Sequence, residues 1–273
     1  MRAVLVLLLV LLQACSPTRF VYDNADTFLR WQANSYFDFH DEQADDLDRR
    51  IAAFLAWHRA EALPQYARFA EEAAGRLLRG LQRADLEWGY DTFLAHVRGA
   101  LGAAGARMAD LLDRLSAEQL AHLEQRLADE NRKFAREQLQ GTVEERRQRR
   151  LKRNLERLEE WFGPLSDAQA GRVRAYSERA PLGGELRERD RRRRQKEFVE
   201  MLRAREARKR LSAWASAWDG GREPAYQKAA RETREAYFDL LLDLDRMLAP
   251  GQRAAAAARM REYAASFGAL SRR

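Results

Sequence analysis

Apolar residues return every three or four positions along most of the chain. Leu47, Ile51, Phe54, His58 and Ala62 form one such stripe, and Leu120, Leu123, Leu127, Asn131 and Phe134 form another. Leu151, Leu155, Leu158 and Phe162 follow the same rule. The cleanest run is Tyr226, Ala230, Thr233, Tyr237, Leu240, Leu244 and Met247. Such steps place side chains on one helix face. No two-residue alternation persists, and the helix formers Ala, Leu, Arg and Glu dominate, so no strand is predicted. Polar residues interrupt the stripes, which favours a bundle over a strict coiled coil. The pattern predicts an all-α fold: an elongated bundle of seven or eight helices, several of them long, with no sheet.

Breaks fall at recognisable residues. Pro64 is expected to end or kink the first long helix. Turns are predicted at 141–142, 163–164, 181–184 and 219–224, where Gly and Pro gather. Thr142 with Glu145 reads as a capping box, in which hydroxyl and carboxylate exchange bonds with the first-turn amides. No Ser/Gly-rich linker divides the helices. The expected organisation is a leader over 1–14, a tether over 15–25 and a single helical domain over 26–273.

The leader rests on the first residues. Arg2 precedes an unbroken apolar run over 3–12, followed by Gln13, Ala14 and the only cysteine, Cys15. A positive start, a short apolar stretch and a small residue before the cut describe an export signal. Ten apolar residues are too few for a membrane span, which needs about 20. With Cys directly after the cut, the segment resembles a bacterial lipoprotein signal. That resemblance implies a diacylated Cys15 and, with Ser16 rather than Asp next, retention at the outer membrane, facing the periplasm. An exported chain with one lipidated Cys has no disulfide to make. Trp31, Tyr36, Phe37 and Phe39 follow the anchor closely and are expected either to pack in the bundle or to sit at the headgroups.

Four helix starts share one pattern: an apolar residue, a cap, two residues, then Gln. They are Phe39 to Gln43, Leu115 with Ser116 and Gln119, Leu165 with Ser166 and Gln169, and Leu248 with Ala249 and Gln252. Ser116 and Ser166 suit the N-cap, and Gln119 and Gln169 can close the box. Ala249 lacks the hydroxyl, but Pro250 suits the first helical position. In the first copy the cap is His40, or Asp41 in a shifted register. The repeat resembles the LTxxQ motif of the Spy and CpxP kind of periplasmic chaperones, with Ser in place of Thr. That likeness implies a helical surface that cradles unfolded clients. A likeness over more of the chain runs through Trp31, the stretch 57–66, the Ser116 and Ser166 starts, Asn131 to Phe134, Glu144 to Arg147 and Trp161. It resembles a family of proteobacterial lipoproteins of unknown function, and implies fold and place without an activity.

Charge is unevenly spread along the chain. The chain has 273 residues, 49 Lys plus Arg against 42 Asp plus Glu, and a net charge of +7. Residues 141–212 hold 22 cations and 13 anions, whereas residues 20–62 hold 4 Arg and 9 acids. Two clusters stand out as candidate anion-binding groups: Arg146, Arg147, Arg149 and Arg150, and the consecutive Arg191, Arg192, Arg193 and Arg194. An envelope location argues against nucleic acid as their partner. Lipid headgroups, lipopolysaccharide phosphates and acidic proteins are the anions at hand.

Of His40, His58, His96 and His122, no two stand four apart around a Glu as zinc hydrolases require. His58 with Glu61 shares a face but lacks a third ligand, so His58 reads as a core residue and His40 as part of a helix start. No nucleophile elbow, P-loop or dinucleotide fingerprint occurs. The expectation is a non-enzymatic, lipid-anchored envelope protein with no metal and no cofactor, binding unfolded or envelope protein clients in a chaperone-like way. The alternative is an adaptor that contacts anionic lipid or lipopolysaccharide through its basic helices. Oligomeric state is left open.

Overall fold

A computed structural model describes residues 21–272. The predicted leader, Cys15 and residues 16–20 lie outside the described residues. Within them the chain forms eleven α-helices and one π-helical turn, with no strand. These are α1 (Ala25–Phe37), α2 (Glu42–Trp57), the π turn (His58–Ala62), α3 (Leu63–Leu78), α4 (Arg83–Leu112), α5 (Ala117–Gln138) and α6 (Val143–Phe162). Then come α7 (Asp167–Arg179), α8 (Gly184–Arg203), α9 (Ala207–Ser216), α10 (Pro224–Met247) and α11 (Pro250–Ser271). The class is all-α as the periodicity predicts, but the helices number eleven rather than seven or eight.

The extra breaks have tertiary causes. After α3 the chain turns at Gly80, whose φ of 86° suits glycine. Buried Asp245 holds that turn, accepting from the Leu81 amide at 3.0 Å and from Arg253 at 2.6 Å. Arg253 also reaches the Leu77 carbonyl at 2.7 Å, satisfying an orphan group at the end of α3. Between α8 and α9 stand Ala204, Arg205 and Glu206, with no Gly or Pro at all. Here Asp113, at the end of α4, accepts from the Ala207 and Arg208 amides at 2.7 and 3.1 Å. A carboxylate 94 residues away therefore caps α9. Conversely, Pro64 causes no break. The preceding π turn widens the helix, with Leu63 N–H bonded to the His58 carbonyl. This wider turn absorbs the proline that a regular helix would reject.

The repeated helix starts meet in two pairs. Ser116 and Ser166 both form complete capping boxes with Gln119 and Gln169. Ala249 supplies only its N–H, to Gln252 Oε1 at 3.1 Å. In the first copy Asp41 is the N-cap and makes no side-chain cap bond. Gln119 Nε2 donates to Gln43 Oε1 at 2.6 Å, and Gln43 Nε2 returns a longer bond at 3.3 Å. Gln169 and Gln252 exchange amide bonds likewise, at 2.9 and 3.2 Å. Each amide also reaches the backbone just before the opposite helix start. Gln119 donates to Asp38 O at 3.0 Å, Gln43 to Arg114 O at 3.5 Å, Gln169 to Met247 O at 3.0 Å and Gln252 to Pro164 O at 2.9 Å. Across the paired helices the two clasps have the same bond pattern.

Apolar side chains gather beside each clasp. The first core joins α1, α2, α4, α5, α8 and α9 through Leu47, Leu111, Leu123 and Met201. The second side is built on α6, α7 and α10, with Leu158, Val173 and Leu244 at its centre. A third cluster packs Tyr22, Leu63, Tyr66, Tyr263 and Phe267 around the π turn. Tyr22 and Ala25 are buried. Tyr36, Phe37 and Phe39 pack on the first core, whereas Trp31 stays 60% exposed. α4 runs 30 residues, about 45 Å, and its Gly105 faces α9 so closely that a Cβ would stand 3.1 Å from the Leu211 carbonyl.

Two outcomes are expected from this packing. Gln169→Leu leaves the Ser166 amide, the Met247 carbonyl and the Gln252 amide without their partner. Urea unfolding should register a loss of about 1–3 kcal/mol. His58 is buried, with Nδ1 3.0 Å from Tyr22 Oη, and burial depresses its pKa from 6.5 to about 4. The unfolded chain binds this proton first, so its contribution is complete above about pH 6.5 and is lost as pH falls towards 4. The loss is about 3 kcal/mol. Urea titrations between pH 7 and 4 should show a steeper decline for the native chain than for His58→Gln.

Candidate functional site: an arginine-lined groove

Applying the periodicity to cations, Arg146, Arg149, Arg150 and Arg153 step by three and four along one face of α6. That face borders a cavity of about 360 Å³, and Arg187 of α8 enters from another wall. Five guanidinium groups thus line one space, with Glu137 as the sole lining carboxylate. Phe134, Leu182, Tyr226, Ala229 and Ala230 supply apolar lining. Gly183 and Gly184 complete a wall at the start of α8, a helix end without a side-chain cap. The partial positive charge of a helix N-terminus has the same sign as the arginines. At Gly184 a Cβ would come within 2.7 Å of Leu139, so this approach of α8 to α5 favours glycine.

The five arginines differ in how far they are committed. Arg150 caps the end of α7, donating to the carbonyls of Ser177, Ala180 and Pro181, the last two at 2.7 and 2.9 Å. Burial lowers its pKa below the ordinary guanidinium value, and the charges of Arg147 and Arg153 push the same way. Arg146 pairs with Glu185 and holds that carboxyl below its usual range. Arg149 donates to the Gln140 carbonyl. Arg187 lies over the Phe134 ring, 5.5 Å from its centroid. Among the described residues, Arg153 and Arg187 have no carboxylate within ion-pair distance. Both are solvent-exposed.

The sequence clusters therefore divide. Arg146, Arg149 and Arg150 line the groove, whereas Arg147 does not. The run 191–194 does not form one anion site, because consecutive helical residues point about 100° apart. Arg191 donates to Asn131 at 2.7 Å and Arg192 to Glu188 at 2.8 Å. Arg193 bonds Asp190 at 2.8 Å and the Gly221 carbonyl at 2.6 Å. Arg194 is buried, its guanidinium 4.0 Å from the Trp214 ring centroid, and it donates to the Trp214 carbonyl at 2.9 Å. Arg191, Arg193 and Arg194 hold α8 against its surroundings, whereas Arg192 bonds within α8. Arg153 and Arg187 lie at the ends of the two cation-rich stretches 146–153 and 187–196, each four residues from Arg149 or Arg191.

The cap residues Ser116, Gln119, Ser166, Gln169, Gln252 and Gln43 sit in the two clasps, away from the groove lining. No group of three or more His, Cys, Asp or Glu side chains able to hold a metal occurs among the described residues. Nor is any helix there long and apolar enough to cross a membrane.

The family of unknown function DUF6279 matches residues 35–214. The chain belongs to this family. The DUF6279 match includes the first three helix starts and all five groove arginines, whereas the fourth start and the α10 wall lie beyond it. No curated protein and no solved structure matches the chain.

Three substitutions separate scaffold from site. Arg150→Ala strips the end of α7 of its carbonyl partners and should cost about 1–3 kcal/mol in urea unfolding. Arg153→Ala and Arg187→Ala remove exposed groups and should each change stability by no more than about 0.5 kcal/mol.

Proposed function

We propose that this DUF6279 protein is a non-enzymatic envelope lipoprotein, tethered through Cys15, whose groove binds anionic groups. The carrying observation is the convergence of five arginines on one cavity with one carboxylate. Structural ion pairs satisfy most of the other cations, but Arg153 and Arg187 leave charge directed at this space. Guanidinium groups bind phosphate and carboxylate through charge-assisted hydrogen bonds. The lipoprotein-like leader supports a periplasm-facing place at the outer membrane, where anionic headgroups abound. The likeness to proteobacterial lipoproteins supports the same place.

The chaperone-like reading draws on the likeness to LTxxQ proteins. Here the Gln residues of that repeat are engaged in helix clasps. The exposed large apolar residues, Trp31, Leu78, Phe93 and Val143, stand on four different helices. Capture of unfolded chains calls for a contiguous apolar surface, so these features favour the anion-binding adaptor.

Intact mass and fractionation test the tether. The native chain should carry a diacyl mass and sediment with outer membranes, and Cys15→Ala should lose both. A soluble, unmodified native chain would remove the anchor from the proposal. For the groove, calorimetry with pyrophosphate should give binding that weakens with salt and falls about tenfold or more in Arg153→Glu/Arg187→Glu. Equal binding by native and variant chains would sink the anion-binding role.

A further inference from the structure

We infer that the groove receives a phosphate-bearing amphiphile, with the anionic head among the arginines and the first methylenes of its tail on the apolar wall. This rests on the anion-binding reading and narrows it to one ligand class. A bare phosphate uses only the cationic side. Yet the same cavity is walled by Leu182, Tyr226, Ala229 and Ala230, with Phe134 beneath Arg187. Three of these wall residues lie on α10, whose groove-lining positions, completed by Thr233, carry no charge. Cations from α6 and α8 thus face an uncharged wall from α10. That division matches a molecule with one charged end.

The size of the cavity selects among anionic partners. A space of about 360 Å³ is within the range of small-ligand pockets. It suits a headgroup with a short length of chain. An acidic peptide spreads its carboxylates along an extended backbone and would call for a cationic track. Here the arginines converge instead. The compact site with adjoining apolar lining therefore favours the lipid.

The test uses the full chain in phosphatidylcholine nanodiscs, with empty discs as the blank. Calorimetry compares dihexanoyl phosphatidic acid, dihexanoyl phosphatidylcholine, inorganic phosphate and a hexaglutamate peptide. The phosphatidic acid should bind about tenfold or more tighter than phosphate, since burying two methylenes is worth that factor, and tighter than the zwitterionic lipid, whose choline cation offsets its attraction to the arginines. Arg153→Glu/Arg187→Glu should abolish this preference. Ala230→Leu, which fills the apolar wall without touching a cation, should weaken the phosphatidic acid severalfold and leave phosphate unchanged. Unaltered melting temperatures show that the variants fold; for a variant that melts early, Ala229→Leu or Arg153→Gln/Arg187→Gln takes its place.

Equal affinity for phosphate and phosphatidic acid would overturn the amphiphile and leave the anion-binding reading standing. Tighter binding of hexaglutamate would do the same and make the ligand an acidic peptide. Equal binding of the two lipids would overturn the head-group preference. No binding of any anion would overturn both the inference and the reading beneath it.

Discussion

The fold turns on a glutamine amide that serves two helices at once. Its oxygen accepts from the cap of its own helix in three of the four copies. Its nitrogen donates to the opposite amide and to the backbone entering the opposite helix. Gln119 and Gln169 are almost wholly buried, so these groups have no water to turn to. An aliphatic residue of the same volume would leave several donors and acceptors unmet together. The surrounding apolar cores can close only where the two helix starts stand in register, and the amides set that register.

Arginine does most of its work as scaffold. Arg253 and Arg150 terminate helices by collecting carbonyls, and Arg194 packs over the Trp214 ring. Arg50 joins Asp46 on its own helix to Asp110 on α4. A planar group with five donors suits these tasks better than an ammonium does. Charge is in surplus at the groove, where Arg153 and Arg187 stand outside the ion pairs. It is concentrated because α6 places four arginines along one face.

Local signals were legible in the sequence and long-range ones were not. Ser116 with Gln119 and Ser166 with Gln169 announce their helices, because a cap needs only residues three apart. Their pairing with Gln43 and Gln252 has no local signature. The break before Ala207 lies among good helix formers, and its cause is Asp113 on another helix. The groove follows the same division. Arginine spacing on α6 could be read directly, whereas the opposing wall on α10 becomes adjacent only through folding. Arg191 to Arg194 look richer in sequence than the α6 cluster, but Glu188, Asp190, Glu197 and backbone carbonyls occupy much of their capacity.

The clasps also constrain the order in which the chain folds. One joins residues 76 apart and the other residues 83 apart. Closing loops of that length carries an entropic cost before any bond forms, and contacts so distant in sequence slow folding. Helices such as α5 and α7 can start on their own capping boxes, but the amide exchange must wait for the distant partner. Until then each glutamine nitrogen is hydrated and each apolar face is open to water. The native register therefore depends on long-range contacts that the local capping boxes do not supply by themselves.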